Sequence, residues 1–306
     1  MAKRLNYNKN KYIFATLLLL FPIALFLIFF VYGYLYSIAL AFSTVDFLGN
    51  AQFIGFHKLF DNFTQFFTEV KASGSLVWIS FFNSLKAWVI SFVISMPLYY
   101  IFSYFIYKKT TGSRLFQTVV LLPQMISGLI FSLIFKQIIN GPLIEAMNFF
   151  GYKDFPNLLA EGKYAFFVIM FYSIWSSFGM SVVFYSNAMS GISPEVIESA
   201  QLDGVDNMFQ ELFYILLPLT FPTFKTMLML GLTTHFATDY GLVTFYMYGA
   251  PAETWNMGYF YTVKVFNSSA TGYPMLAASG LVLTIVSAPI VLGVKKFMDK
   301  IDPIDA

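Results

Sequence analysis

Residues Ser193–Pro222 read SPEVIESAQLDGVDNMFQELFYILLPLTFP, a polar and acidic island between two long apolar runs. Its first part predicts a short helix. Ser193 suits the N-cap, Pro194 the first helical position, and Glu195 the positive helix start. At helical spacing Val196, Ile197 and Ala200 fall on one side, and Glu195, Glu198, Ser199 and Leu202 on the other. Asp203-Gly204 stops the helix, because glycine enters the left-handed conformation cheaply. Asp206 or Asn207 then caps a second helix, which runs into an apolar segment and meets Pro218 and Pro222.

These residues carry a resemblance. Glu198-Ser199-Ala200, Gly204 and Ile215-Leu216-Leu217-Pro218 are similar to the EAA loop of permease subunits in binding-protein-dependent ABC importers, where a Glu-Ala-Ala triplet precedes a glycine and an Ile-x-Leu-Pro. Here the second triplet residue is Ser199, and the spacer from Gly204 to Ile215 is one residue longer. Leu122-Pro123, the Gly141 turn and Gly191-Ile192-Ser193-Pro194-Glu195 resemble the sugar-type permeases of the maltose-transporter kind. The resemblance covers about residues 80–296. It implies an all-α integral membrane protein of six spans with a cytoplasmic coupling helix. It also implies a second permease subunit as a heterodimer partner, two ATP-binding subunits below, and an extracytoplasmic solute-binding protein above. Glu195, Glu198, Ser199, Ala200, Asp203 and Gly204 are then the ATPase-coupling residues, with Glu198 as the contact and Gly204 as the sharp turn.

Composition agrees with a bilayer. The chain has 306 residues, 58% hydrophobic and 11% charged, against about 25% charged in soluble domains. A net charge of +2 gives no reason to expect nucleic acid. With no cysteine there is no disulfide framework, thiol nucleophile or Cys-based metal site. His57 and His235 are too far apart in sequence to argue a catalytic set. There is no Gly-rich phosphate loop and no HExxH, so the chain is expected to be no enzyme and to need no cofactor, with ATP hydrolysis supplied by separate subunits.

Six apolar runs reach the roughly 20 residues that a bilayer requires: about 12–42, 76–107, 115–139, 164–190, 212–237 and 275–294, with the coupling loop at 191–211. They make one transmembrane permease domain over 1–306. The first run is too long for a signal-peptide core and reads as an uncleaved span bent near Pro22 or Gly33. With the N-terminus inside, ten basic residues are cytoplasmic (Lys3, Arg4, Lys9, Lys11, Lys108, Lys109, Arg114, Lys295, Lys296, Lys300) and five are outside (Lys58, Lys71, Lys153, Lys163, Lys264). That bias puts both termini in the cytoplasm of a multi-pass cell-membrane protein. The loop 191–211 is the exception: it carries Glu195, Glu198, Asp203, Asp206 and Glu211 and no cation. Anionic lipid would repel it, so it reads as a surface for a basic protein partner.

Polar residues inside spans tend to face the bundle interior or a wet cavity. On the fourth span Ser173, Ser176, Ser177 and Met180 share a face, beside Tyr172 and Trp175. On the fifth, Gly231, Thr234, His235 and Thr238 do the same. The resemblance suggests that both faces line a path for a sugar or oligosaccharide, although small and hydroxyl residues also serve close helix packing. Lys225 reads as a lone mid-span charge facing that path, whereas Lys86 and Lys136 snorkel. A phosphate, polyamine or peptide permease would want matching charge along the path. An ion-coupled secondary transporter would want an in-span carboxylate, for which Asp239 is the only near candidate. A membrane enzyme would want a catalytic cluster.

Overall fold

The computed structural model describes residues 2–72, 75–152 and 155–303, with backbone alone for 2–10, 12 and 13. Lys153, counted above among the outer charges, lies outside the described residues. Five helices are long and apolar enough to cross a membrane, and a sixth span results if one bent pair is counted as one. The chain divides into two compact units, 1–71 with 264–286, and 72–263 with 287–306.

In the first unit the opening helix is continuous from Ala2 to Ala41, with a π-helical stretch at Phe26–Val31 between Pro22 and Gly33. From Phe14 onward this helix buries only Ala41, at its end. A hairpin follows, in which β1 (Ser43–Val45) pairs antiparallel with β2 (Ala51–Phe53), Thr44 opposite Gln52. Its turn is tied by Asp46, whose carboxylate accepts from the Asn50 side chain and from the backbone N–H of Asn50 and Leu48. These bonds, the Asn50 side chain foremost, hold Asp46 below the usual carboxylate range. The helix Asp61–Lys71 is fixed by buried Asn62, which donates to the Ala41 and Ser43 carbonyls. At its other end Glu69 pairs with Lys264 at 2.6 Å.

The second unit is built on the packing of the second span, Leu76–Tyr107, against the fourth, Gly162–Ser190. In hydrocarbon small residues let helices approach closely, and Ser80, Ser84, Ala87, Ser95 and Ser103 form the buried seam of the second span. Ser103 donates to the Val182 carbonyl at 2.8 Å, and the Tyr100 and Tyr185 rings lie 4.7 Å apart. The segment expected as a single third span over 115–139 is broken. Helix Ser113–Met125 ends at extended Ile126, and Gly128–Asn140 begins anew. Pro123 weakens the turn before the break, and Gly128 follows it. Length and apolarity therefore select 128–149 as the crossing element.

The fifth span, expected over 212–237, is the bent pair: Met208–Leu219 and Phe221–Thr234 meet at 73°. Pro218 and Pro222 lack the N–H groups that would carry the ladder through. At the bend the Thr220 N–H turns to the Leu216 and Pro218 carbonyls, while its hydroxyl donates to the Leu216 carbonyl at 2.6 Å and meets the Tyr100 hydroxyl at 2.9 Å. The region 238–274 holds short helices at Leu242–Tyr246 and Met257–Asn267. Within the second unit, Asn83 donates to the Glu253 and Trp255 carbonyls, and Tyr246 to the Leu159 carbonyl. Burial pushes the Tyr246 hydroxyl up to about 12, so it serves as a neutral donor. The last helix, Tyr273–Lys300, runs from the first unit into the second.

Gly179 is where two helices touch. A Cβ there would lie 2.0 Å from the Val120 carbonyl oxygen. Gly179→Ala is expected to lower stability by about 1–3 kcal/mol through overpacking against rigid backbone. Gly280→Ala, with nothing within 4 Å of the added carbon, should be neutral or stabilising by about 0.5–1 kcal/mol. Thermal melting of the purified transporter separates the two; equal effects would contradict the contact.

Candidate functional site

The predicted short helix is Pro194–Leu202. Ser193 holds the N-cap position with extended backbone, yet its hydroxyl bonds the Glu195 carboxylate and caps no backbone N–H. The helix ends in a Schellman turn. Gly204 sits at φ +95°, its N–H reaches the Gln201 carbonyl, and the Val205 N–H reaches the Ala200 carbonyl. Of the two proposed caps for the next helix, Asn207 is the one used. Its side chain accepts from the Gln210 N–H, while the Gln210 side chain accepts from the Asp206 N–H.

One face of this helix is seated and the other is bare. Ile197 is buried in a cluster with Tyr100 of the second span, Tyr185 and Met189 of the fourth, and Leu212 and Leu216 of the fifth. Ala200 is buried beside it in sequence. Glu195, Glu198, Ser199, Asp203 and Gly204 are exposed. Val196, expected on the buried side, is exposed as well, and Leu202 is 89% exposed. A nine-residue helix crossing the core with one narrow contact buries only the 197/200 edge, so Val196 at its margin joins the outer face.

The loop's acids are not equivalent. Glu211 is 7% exposed and faces inward. Its carboxylate pairs with Lys108 at 2.7 Å and accepts from the Tyr104 hydroxyl at 2.9 Å. The Lys108 ammonium also lies over the Tyr104 and Tyr107 rings, 5.4 and 5.5 Å from their centres. The segment after the second span and the start of the fifth are thereby tied beside the helix Pro194–Leu202. Sequence reading counted Glu211 with the surface acids; the only signal was its place at the first apolar residue of the span.

The two predicted path faces divide. Tyr172 and Trp175 pack into an aromatic cluster with Phe131 and Phe135, and Phe245 joins through Tyr172 and Phe135. The Ser176 carbonyl accepts from Gln124. Ser177 is exposed and meets the Tyr99 hydroxyl at 3.2 Å, with half-buried Ser173 one turn above. His235 does not share the face of exposed Thr234 and half-buried Thr238. It is 3% exposed and clamped between the Ser84 carbonyl and the Tyr240 hydroxyl, a crosslink between the second and fifth spans. Lys225 is no lone charge: Asp299 at 3.0 Å, in the last turn of the last helix, and Asp302 at 2.7 Å, just past it, pair with it. Those partners stand at the end of the chain, some 75 residues on, which spacing within the fifth span could not reveal.

The second, fourth and fifth spans also border an open, mainly apolar groove of about 300 Å³. Trp88, Ser91, Ser95 and Tyr99 of the second span, Ser181 and Tyr185 of the fourth, and Gly231 and Thr234 of the fifth line it. Of the predicted path residues Thr234 belongs to it directly, and Ser177 borders it through Tyr99. Among the described residues no group of three or more His, Asp or Glu side chains is placed to hold a metal.

No protein-family model matches the chain. It is 25% identical over 259 residues to the sn-glycerol-3-phosphate transport system permease protein UgpA of Shigella dysenteriae serotype 1 (strain Sd197), covering 83% of each protein. UgpA of Escherichia coli O6:K15:H31 (strain 536 / UPEC) is 25% identical over 263 residues with the same coverage. A chain in the crystal structure of a bacterial ABC transporter involved in the import of the acidic polysaccharide alginate superposes with a TM-score of 0.76 at 19% identity, covering 96% of this chain and 98% of that one. A chain in the complex of the bacterial alginate ABC transporter with an alginate pentasaccharide-bound periplasmic protein gives 0.74, at 19% identity and 96% coverage of both. The chain thus shares the all-α fold of the matched chains in these ABC transporter structures, with five helices long and apolar enough to cross a membrane, or six spans if the bent pair is one.

Proposed function

We propose that this subunit moves a sugar or oligosaccharide into the cell by alternating access, driven by ATPase subunits that grip the helix Pro194–Leu202. One observation carries this reading. The helix has an apolar edge seated on three spans at once, at Ile197, and an exposed acidic outer face at Glu195 and Glu198. Such a helix passes a push on its outer face directly to the spans beneath. The seat reaches Leu212 and Leu216, just before the 73° bend, so displacement of the helix changes the angle at Thr220. The wall of the groove formed by Gly231 and Thr234 lies on the far side of that bend.

The Lys108–Glu211 pair sets the segment after the second span and the coupling loop at one end of the second unit. With the cationic bias of the sequence, that end is the cytoplasmic one and both termini lie inside. The ATPase surface that meets Glu195 and Glu198 is basic. A second permease subunit completes the path, and a loaded solute-binding protein docks on the outer loops. Residues 1–306 act as one permease domain.

Reversing the charge and breaking the turn, Glu198→Lys with Gly204→Pro, should abolish stimulation of ATPase activity by loaded binding protein in the reconstituted complex. The permease should still insert. Unaltered stimulation removes the lever reading. Lys108→Ala, which leaves a buried carboxylate without its cation, should destabilise by about 1–3 kcal/mol, more than Glu211→Gln. The double variant should cost less than the sum. Additive losses in thermal melting would show that the pair is not a unit.

A further inference from the structure

The end of the bundle that carries the acidic loop also holds a cavity of the opposite charge. It has a volume of about 550 Å³ and lies where the second span ends, the helix Ser113–Met125 begins and the fourth span ends. That size falls within the roughly 300–1,000 Å³ of ligand sites. Its lining includes Lys109 and Arg114 and no carboxylate. Lys108, one residue earlier, is spent on Glu211. Lys109 and Arg114 are not spent: both are exposed, and among the described residues neither side chain has an ion-pair or hydrogen-bond partner.

The neutral donors at the wall are open as well. Ser113, Gln117 and Asn187 line the cavity, and their side chains make no hydrogen bond among the described residues. Ser186 and Ser190, by contrast, donate to the Val183 and Ser186 carbonyls and so serve their own helix. The turn that brings the two cations to one cavity is strained. Lys109 adopts φ +50°, a left-handed conformation that disfavours a side chain, and Gly112 adopts φ +86°. Residues held in such conformations cluster at ligand clamps and switches.

Two cations with free amide and hydroxyl donors suit an oxyanion that takes several hydrogen bonds at once, such as a phosphate diester. What lies beside the cavity selects the source of that phosphate. Phe105, Leu115 and Phe184, on the same three helix ends, are exposed apolar side chains. A cationic cleft next to bare apolar surface matches the charged head and apolar body of a phospholipid, where a free anion would need the cleft alone. In the orientation proposed above this end of the bundle is cytoplasmic, and anionic lipids of that leaflet attract basic clusters beside spans.

We infer that this cavity binds the phosphate headgroup of an anionic phospholipid of the inner leaflet, with Lys109 and Arg114 as its charge partners and Gln117 and Asn187 as its hydrogen-bond donors. The inference rests on the orientation given above and adds a partner that the transport reading does not require.

The complete transporter is purified, stripped of lipid and titrated in detergent with short-chain phosphatidylglycerol, short-chain phosphatidylcholine or inorganic phosphate. Bound molecules are counted by native mass spectrometry. The unaltered complex should retain phosphatidylglycerol in preference to phosphatidylcholine. Lys109→Gln with Arg114→Gln should weaken that binding by about 30-fold, since each basic residue near an anionic lipid surface contributes roughly a factor of five. Lys295→Gln with Lys296→Gln removes the same charge from the last helix, outside the cavity, and should leave binding nearly unchanged. Asn187→Leu, which alters no charge, should weaken it, and Lys109→Arg with Arg114→Lys should keep it. Equal losses in the two glutamine pairs would reduce the effect to overall charge and overturn the site, as would equal retention of phosphatidylcholine. Displacement of the lipid by inorganic phosphate would assign the cavity to a soluble anion. Release of the ATPase subunits by Lys109→Gln with Arg114→Gln would assign it to a protein contact. Either result overturns the inference. Binding in detergent needs no coupling, so Glu198→Lys with Gly204→Pro should retain it. Coupling that survives that variant refutes the transport reading alone; loss of lipid preference with coupling intact refutes this site alone.

Discussion

The second unit depends on one seat: Ile197 lodged among Tyr100, Tyr185, Met189, Leu212 and Leu216. In hydrocarbon the hydrophobic effect does not drive helices together, and packing and hydrogen bonding must hold them. At the end of the bundle, where Pro194–Leu202 crosses, water is the competing medium and burying an Ile side chain is worth about 1.5–3 kcal/mol. That makes the seat an anchor shared by three spans. The Schellman turn at Gly204 and the cap at Asn207 fix the helix at its end and the chain that follows it, so its inner edge stays in register with the core.

The hinge follows from the same economy. Two prolines four residues apart deprive the fifth span of ladder hydrogen bonds, which in a membrane leaves carbonyls that must be satisfied from within the protein. The Thr220 N–H takes over part of that task by turning to the Pro218 carbonyl, and its hydroxyl meets Tyr100, which is also a wall of the Ile197 seat. The bend and the seat therefore share a residue. Past the bend, Lys225 is gripped by Asp299 and Asp302, and Asp302 is 2% exposed, so the second half of the span has its own fixed point. A helix held at both ends and broken in the middle has one cheap degree of freedom, the angle at the break.

The polar residues of the spans divide into fasteners and open groups. His235 bridges Ser84 and Tyr240, Ser103 reaches Val182, and Asn83 secures the loop at 253–255. These groups are consumed by the fold, whereas the buried hydroxyls of Ser80 and Ser95 on the second span have no hydrogen-bond partner.

The residues by themselves fixed the class: long apolar runs, a low charge content and an acidic island ending in Asp-Gly before a proline-broken span. The helix Pro194–Leu202 was legible almost to the residue, because caps, glycine stops and amphipathic spacing act over one or two turns. Glu195, Glu198 and Ser199 stand on the exposed face as their spacing implied, while Val196 was misplaced because how wide an edge a short helix buries depends on what lies beneath it. The break at Ile126–Ser127 was invisible, since hydropathy measures apolar content and not the continuity of the ladder. The site in the spans was the least legible part. Lys225 and Asp302, His235 and Ser84, and Lys108 and Glu211 are partners from distant segments, and a side chain's partner in a helical bundle is set by helix rotation and crossing, which no local pattern encodes. Tertiary structure alone decided which polar side chains were spent on holding the bundle, because their partners come from segments far away in the chain.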